Sequence, residues 1–353
     1  MKIMLVVDGS YGEGGGQILR TAISLSALSG KSVKIINIRK NRPNPGLSNQ
    51  HVTAVKSASE ICNAEVKGCE KNSVTLVFRP SEIEGGRYSF DIGTAGSVTL
   101  VLQTLLPMLL KTKAEVEITG GTDVKWSPSA DYFQHVFLYF LRRMGAKIEF
   151  SILRRGHYPK GGGKVVLRTE ASEIEPIQLT HPGKLKKIKG RIHLSQLPEN
   201  IAQRIKKASE EILAKRLQGT PFEINISFED GTPGCGFTLW AEFENSVLGY
   251  SLCGEKGLRA ENLGSLVAER VIEEINSGAT VDECCSDQII PYLACHRLFK
   301  REEGRCVEEK TLFNPLFLVR TLSSHLKTNI WVIEKFGFKV GKVSIVKKHD
   351  MLQ

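Results

Sequence analysis

Long apolar runs are missing from this chain: nowhere do about 18 apolar residues follow one another, so no segment reads as a membrane-spanning helix. Cysteine is present, but not in pairs that carry chemistry. Eight occur, at Cys62, Cys69, Cys235, Cys253, Cys284, Cys285, Cys295 and Cys306, and none forms a C-x-x-C spacing. That removes zinc ribbons and dithiol redox motifs, and leaves thiols expected to be reduced and mostly packed. Only Lys2 precedes a short apolar strand and no small-residue cleavage site follows, so the expectation is a soluble, cytoplasmic protein. Two familiar phosphate loops are also absent. Gly30-Lys31-Ser32 imitates the end of a P-loop, yet the glycine needed five residues earlier is Leu25. Read from Gly12 and Gly14, the third glycine of a dinucleotide fingerprint falls at Gln17.

What is present is a different glycine turn. An apolar run, Ile3 to Val7, leads into Asp8-Gly9-Ser10-Tyr11-Gly12-Glu13-Gly14-Gly15-Gly16, and Ile18, Leu19, Ala22, Ile23, Leu25 and Leu28 then mark one face of a helix. The order is strand, turn, helix. Glycines permit positive φ and close approach of backbone to ligand, and the helix start behind them offers free N–H groups and partial positive charge. Such a place suits phosphate. Glu13 and Arg20 flank it, a hard oxygen ligand for a divalent metal and a fixed cation.

With 48 Lys plus Arg against 38 Asp plus Glu, the 353-residue chain carries a net charge of +10, which favours polyanionic partners. Basic residues gather at Arg39, Lys40 and Arg42, at Arg154, Arg155 and Lys160, and from Lys184 to Arg191. The first group sits on a Pro-rich loop after the strand Ser32 to Ile38; Ser48 then caps a helix through Gln50, His51, Val55 and Ile61. A histidine there is expected to be structural.

At Asp91-Ile92-Gly93-Thr94-Ala95-Gly96-Ser97 the opening pattern returns, followed by a helix through Leu100 to Leu109 and the strand Ala114 to Ile118. The period, about 80 residues, is too long for a solenoid repeat and implies duplicated subdomains of strands with helices on one face. Gly120-Gly121-Thr122-Asp123 leads through Pro128 into a helix from Asp131 to Met144, and Tyr158-Pro159-Lys160-Gly161-Gly162-Gly163 precedes the strand Lys164 to Arg168. From about Thr180 to Gly278 the texture shifts to charged helices and alternating strands, read as an inserted domain (180–278) within a large one (1–179 and 279–353). Cys285-Ser286-Asp287-Gln288 then opens an apolar helix, a third copy of the unit, with Asp287 suited to capping. Last, Ser323-Ser324-His325-Leu326 starts a helix with a histidine in its first turn, where the helix N-terminus disfavours the imidazolium.

Taken together, Asp8 to Arg20, Pro45-Gly-Leu-Ser-Asn-Gln-His51, Gly93 to Ser97 with Gln103, Gly120 to Asp123, Tyr158 to Gly163, Ala260-Glu261, Asp287-Gln288 and Ser324-His-Leu-Lys-Thr-Asn329 resemble the RNA 3'-terminal phosphate cyclases nearly end to end. The resemblance implies an α/β (α+β) fold: three repeated units, each a four-stranded sheet with two helices, interrupted by a smaller α/β domain. It implies an ATP-dependent enzyme that turns an RNA 3'-phosphate into a 2',3'-cyclic phosphate, through a histidine-AMP intermediate and an RNA-adenylate. His325 would be the nucleophile and Glu13 would help hold the divalent metal, Mg²⁺ or Mn²⁺, on the triphosphate. Arg20, Arg39, Arg42, Gln50 and Gln103 would contact phosphates of ATP or RNA. Pro128 would flank the adenine, and Asp287, with Gln288 beside it, would lie near the adenine or ribose. The partner implied is RNA with a 3'-terminal phosphate, with no membrane and a fold compatible with a homodimer.

The chain departs from the family near Asp287, where Cys284 and Cys285 stand in place of an enclosing aromatic, and at Ser251, with Tyr250 next to it. Competing readings are a nucleophile-free cyclase-like RNA-binding factor of ribosome assembly and an enolpyruvyl transferase of similar duplicated architecture. A lysine-dependent nucleotidyl transferase lacks its Lys-x-Asp-Gly signature here. His325 together with Glu13 favours the cyclase.

Overall fold

The computed structural model describes residues 4–300 and 312–346; Ile3 of the expected first strand and Cys306 lie outside them. The chain opens with β1 (Leu5–Asp8), α1 (Gly16–Ser29), β2 (Val33–Ile36), α2 (Asn49–Ile61), β3 (Glu65–Lys67) and β4 (Leu76–Arg79). The sheet order is β1-β2-β4-β3, with β1 parallel to β2 and the other pairings antiparallel. Next come β5 (Gly86–Asp91), α3 (Val98–Leu109), β6 (Ala114–Gly120), α4 (Ala130–Tyr132), α5 (Leu138–Arg143), β7 (Lys147–Arg154) and β8 (Gly163–Glu170). Their order, β5-β6-β8-β7, repeats the first sheet's topology and its sequence of parallel and antiparallel pairs. The duplication read from the two small-residue turns is therefore a duplication of fold.

Local chemistry accounts for the elements. Ser97 and Ser323 cap their helices by accepting from the backbone N–H groups of Leu100 and Leu326. The expected helix from Asp131 to Met144 forms as α4 and α5 joined by a π-helical turn, Phe133–Phe137, in which the Leu138 N–H reaches back to the Phe133 carbonyl. Gly30, the glycine of the false P-loop, ends α1 with φ of 68°.

A third sheet has order β10-β9-β11-β12, built from β9 (Leu185–Ser195), β10 (Phe222–Phe228), β11 (Gly234–Phe243) and β12 (Val247–Cys253). Helices α6 (Glu199–Arg216) and α7 (Ala260–Ser277) pack on it, and it has its own apolar cluster, including Ile188, Ile205, Phe237, Leu239 and Val267. Its topology differs from the repeated units, so it is no further copy of them.

The last segment holds α8 (Glu283–Ala294), β13 (Leu312–Phe313), β14 (Leu318–Val319), α9 (Ser324–Lys335), β15 (Lys339–Val340) and β16 (Ser344–Ile345). Among the described residues these strands form two short parallel pairs, β13 with β15 and β14 with β16, in place of a third four-stranded sheet. The cap of α8 is Asp282, which accepts from Cys285 N at 2.9 Å, and Asp287 lies one turn further in. Helices α1, α3 and α9 meet around a common apolar cluster that includes Ile23, Leu105 and Val332. That convergence brings the N-termini of α1 and α9 together. Among the described residues no helix is long and apolar enough to cross a membrane, and the seven described cysteines are free thiols, Cys62, Cys235, Cys285 and Cys295 buried and Cys284 exposed.

Candidate active site

The glycine turn and the start of α9 form one wall. Gly12 and Gly14 adopt φ of 56° and 58°, and Tyr11 stacks on Trp331 of α9 at 4.0 Å between ring centroids. Gly16 opens α1 where the His51 imidazole needs the room: a Cβ there would lie 2.1 Å from His51 Nε2. His51 is structural, as expected. Its Nδ1 accepts from the Ser48 N–H at 3.1 Å, and burial, with Arg20 and Arg39 nearby, lowers it to about 3.

His325 is the second residue of α9. Its Nδ1 lies 2.6 Å from Gln17 Oε1, and the Gln17 amide nitrogen donates to Asp287 Oδ2 at 2.7 Å. An amide oxygen can only accept, so Nδ1 carries the proton and the neutral ring presents its lone pair at Nε2. Burial lowers the imidazolium's pKa and Arg20 and Arg42 lower it further, against the pull of Glu13, so the neutral form prevails at pH 7. Nε2 is 3.5 Å from Glu13 Oε2. Glu13 in turn accepts from Ser324 Oγ and pairs with Arg42 at 3.1 Å, and the Ser324 hydroxyl is the main cause that holds its carboxyl below the ordinary value.

Behind His325 the hydrogen bonds continue. Asn329 donates to the Asp287 carbonyl at 2.5 Å and accepts from Thr21 at 2.6 Å. Burial raises the Asp287 carboxyl to about 7 although Arg20 opposes it, and burial lowers Arg20 to about 10, which leaves it protonated at neutral pH.

His325 opens onto a cavity of about 380 Å³ that Arg20, Gln103, Pro128, Asp287 and Gln288 also line. Six of the ten site residues expected from the sequence thus face one space. Tyr250, Ser251, Trp126 and Cys284 complete much of its wall, so Tyr250 supplies an aromatic face where Ser251 cannot. Gln103 donates to Gln288 at 2.8 Å. Glu13, Arg39, Arg42 and Gln50 stand outside that lining. Arg39 donates to the Gly46 carbonyl at 2.9 Å, Arg42 donates to Glu13, and Gln50 accepts from Ser97 N, which ties the first unit to the turn of the second. Sequence reasoning did not single out Gln17, Ser324 or Asn329 as site residues, although all three lie inside its quoted motifs.

The chain matches the family model described as RNA 3'-terminal phosphate cyclase over residues 11–341. It is 44% identical over 343 residues to the RNA 3'-terminal phosphate cyclase of Methanopyrus kandleri, covering 94% of this chain and 93% of the relative. Identity is 46% over 304 residues to that of Hyperthermus butylicus, covering 83% and 85%. For the protein of the same description in Pyrococcus furiosus it is 44% over 368 residues, covering 98% and 99%.

Proposed function

Because the chain belongs to the RNA 3'-terminal phosphate cyclase family, we propose that it uses ATP to convert an RNA 3'-phosphate into a 2',3'-cyclic phosphate. A phosphate monoester resists its neighbouring 2'-hydroxyl because the leaving group would be hydroxide; adenylation replaces hydroxide with AMP. His325 Nε2 attacks the α-phosphorus of ATP, an N–P bond forms and the bond to pyrophosphate breaks. An oxygen of the RNA 3'-phosphate then attacks that phosphorus, taking AMP and restoring His325. The 2'-hydroxyl, losing its proton, attacks the activated 3'-phosphorus and expels AMP.

One observation supports this reading above the others: Gln17 holds the proton on Nδ1 of His325, which lines the cavity, and leaves Nε2 with the lone pair of a nucleophile. The remaining residues position and neutralise charge. Arg20 and Gln103 would meet phosphates inside the cavity, Arg39, Arg42 and Gln50 at its approach, and Pro128, Asp287 and Gln288 the nucleoside. The donor set near His325 suits a divalent cation of the Mg²⁺ or Mn²⁺ class, since Glu13 is an ionised oxygen ligand at a phosphate-binding turn. Glu13 would hold that cation, whose bound charge offsets that of the triphosphate. Trp126, 94% exposed, borders both this cavity and a larger one of about 1000 Å³, and offers a face for stacking the terminal base. We assign the RNA strand to the larger cavity, between an inserted domain of residues 180–278 and a large domain of residues 1–179 and 279–353.

The test is incubation with divalent metal and ATP labelled on the α-phosphate, without RNA, followed by denaturation. Label should stay on the chain as an acid-labile, alkali-stable adduct and be lost in His325→Ala. Absence of label across several metals would overturn the enzyme reading and favour the RNA-binding assembly factor.

A further inference from the structure

A second cluster of ligating side chains lies away from the cavity of His325, and two of its members, Asp123 and His157, line the larger cavity. Asp123 follows β6 in the Gly-Gly-Thr-Asp turn, His157 follows β7, and His193 lies on β9; all three are buried. One ligand atom from each falls within 4.8 Å of the others. Among these, His157 Nε2 is 3.3 Å from His193 Nε2, and His193 Nε2 is 3.5 Å from Asp123 Oδ2. Ligands about 2.0–2.1 Å from a tetrahedral metal stand roughly 3.4 Å apart, so the separation of the two imidazole nitrogens matches an edge of such a polyhedron.

Tautomer chemistry makes the arrangement hard to satisfy otherwise. His157 Nδ1 is 2.9 Å from the Thr232 carbonyl, which can only accept, so that nitrogen carries the proton and Nε2 a lone pair. His193 Nδ1 is 3.2 Å from Asp131 Oδ2. If neutral His193 places its proton on Nδ1, toward the carboxylate, two Nε2 lone pairs face each other. If it places the proton on Nε2, a bare Nδ1 faces a carboxylate. Either neutral form leaves a repulsion that a cation between the rings removes. Local charge points the same way: Asp123, Asp131 and Glu229 face Arg155 and Arg191, three carboxylates against two guanidinium groups.

Two further observations single out this place. Asp123 Oδ1 is buried without a hydrogen-bond partner among the described residues, while Oδ2 already takes the Thr122 hydroxyl and Arg155. The facing strand has been cleared: a Cβ at Gly234 would come within 2.2 Å of His157 Cγ, and one at Gly236 within 2.5 Å of His193 Cε1.

We propose that Asp123, His157 and His193 bind a divalent transition-metal ion of the Zn²⁺ class, with a fourth position open to the larger cavity. Imidazole nitrogens and one carboxylate favour such an ion over Mg²⁺. The Thr232 carbonyl accepts from His157 Nδ1, and the Asp131 carboxylate lies 3.2 Å from His193 Nδ1, the side on which outer partners of metal-bound histidines stand. The ion joins β9 to the turn after β6 and is independent of the chemistry at His325.

The full-length protein, purified without chelator and dialysed, should retain about one equivalent of zinc by elemental analysis. His157→Gln and His193→Gln should each cut retention at least tenfold. Because either change could weaken the fold, the wild-type protein gives a second readout. Stripped and loaded with Co²⁺, it should show the intense visible absorption of a tetrahedral site, and chelator should lower its melting temperature, with Zn²⁺ restoring it. No retained metal and no Co²⁺ band in the wild type would overturn the proposal. Zinc binding undiminished in both variants would overturn it equally.

Discussion

Gln17 decides which nitrogen of His325 is free, and Asp287 decides how Gln17 is turned. With the amide nitrogen committed to the Asp287 carboxylate, only Oε1 is left for the histidine. Gln17→Ala should therefore leave folding and ATP binding largely intact and slow transfer of AMP to His325 at least tenfold, the worth of one buried charge-linked hydrogen bond of about 1.5–3 kcal/mol. Single-turnover labelling at saturating ATP measures it, and an unchanged rate would remove Gln17 from the mechanism. The same relay sets a pH dependence. Asp287 titrates at about 7, ionised above and protonated below, and only the ionised form is purely an acceptor for Gln17. Labelling should rise as pH passes upward through about 7 in wild type, and Asp287→Asn should lose that limb. His325 was legible because serine, histidine and a helix start adjoin in sequence. Gln17 was not, because what gives it a role is contact with residues about 270 and 308 positions away.

Helices carry these side chains, and their apolar periodicity made them the most readable elements. The faces of α1 and α3 expected from Ile18 to Leu28 and from Leu100 to Leu109 are largely the faces buried. Strands were harder. β3 is three residues long and mostly exposed, and β7 alternates so regularly between buried and exposed that nothing marks its ends until β8 pairs with it. The third unit was legible only as helices, since among the described residues its strands are two residues each. Since α3 sits where α1 and α2 meet it, Leu105, fully buried there, reports on the joint. Leu105→Ala should cost about 2–5 kcal/mol in urea unfolding through lost burial and the cavity left behind. A loss under about 0.5 kcal/mol, the usual range for a surface change, would mean that α3 is not packed at this position.

Across the whole molecule, one arginine ties the second repeated unit to the third sheet. The sequence showed Arg155 only as part of a basic run; the structure buries it completely, because its partners come from three separate segments. Its guanidinium meets Asp131 at 2.9 Å, Asp123 at 3.2 Å and Glu229, just past β10, at 2.6 Å. Removing it strands carboxylates away from water, so Arg155→Met should lower stability by about 3–5 kcal/mol near pH 7. The sign of the pH dependence follows from Glu229. Burial raises its carboxyl but the bonds from Arg155 outweigh burial and bring it to about 2, below its ordinary 4.5. A depressed folded-state value stabilises fully above the unfolded one and is lost as pH falls toward the folded one. The gap between wild type and Arg155→Met, largest at pH 7, should therefore narrow as urea unfolding is repeated from pH 4.5 downward. Equal urea midpoints at pH 7 would show that the two sheets are held together by their apolar contacts alone.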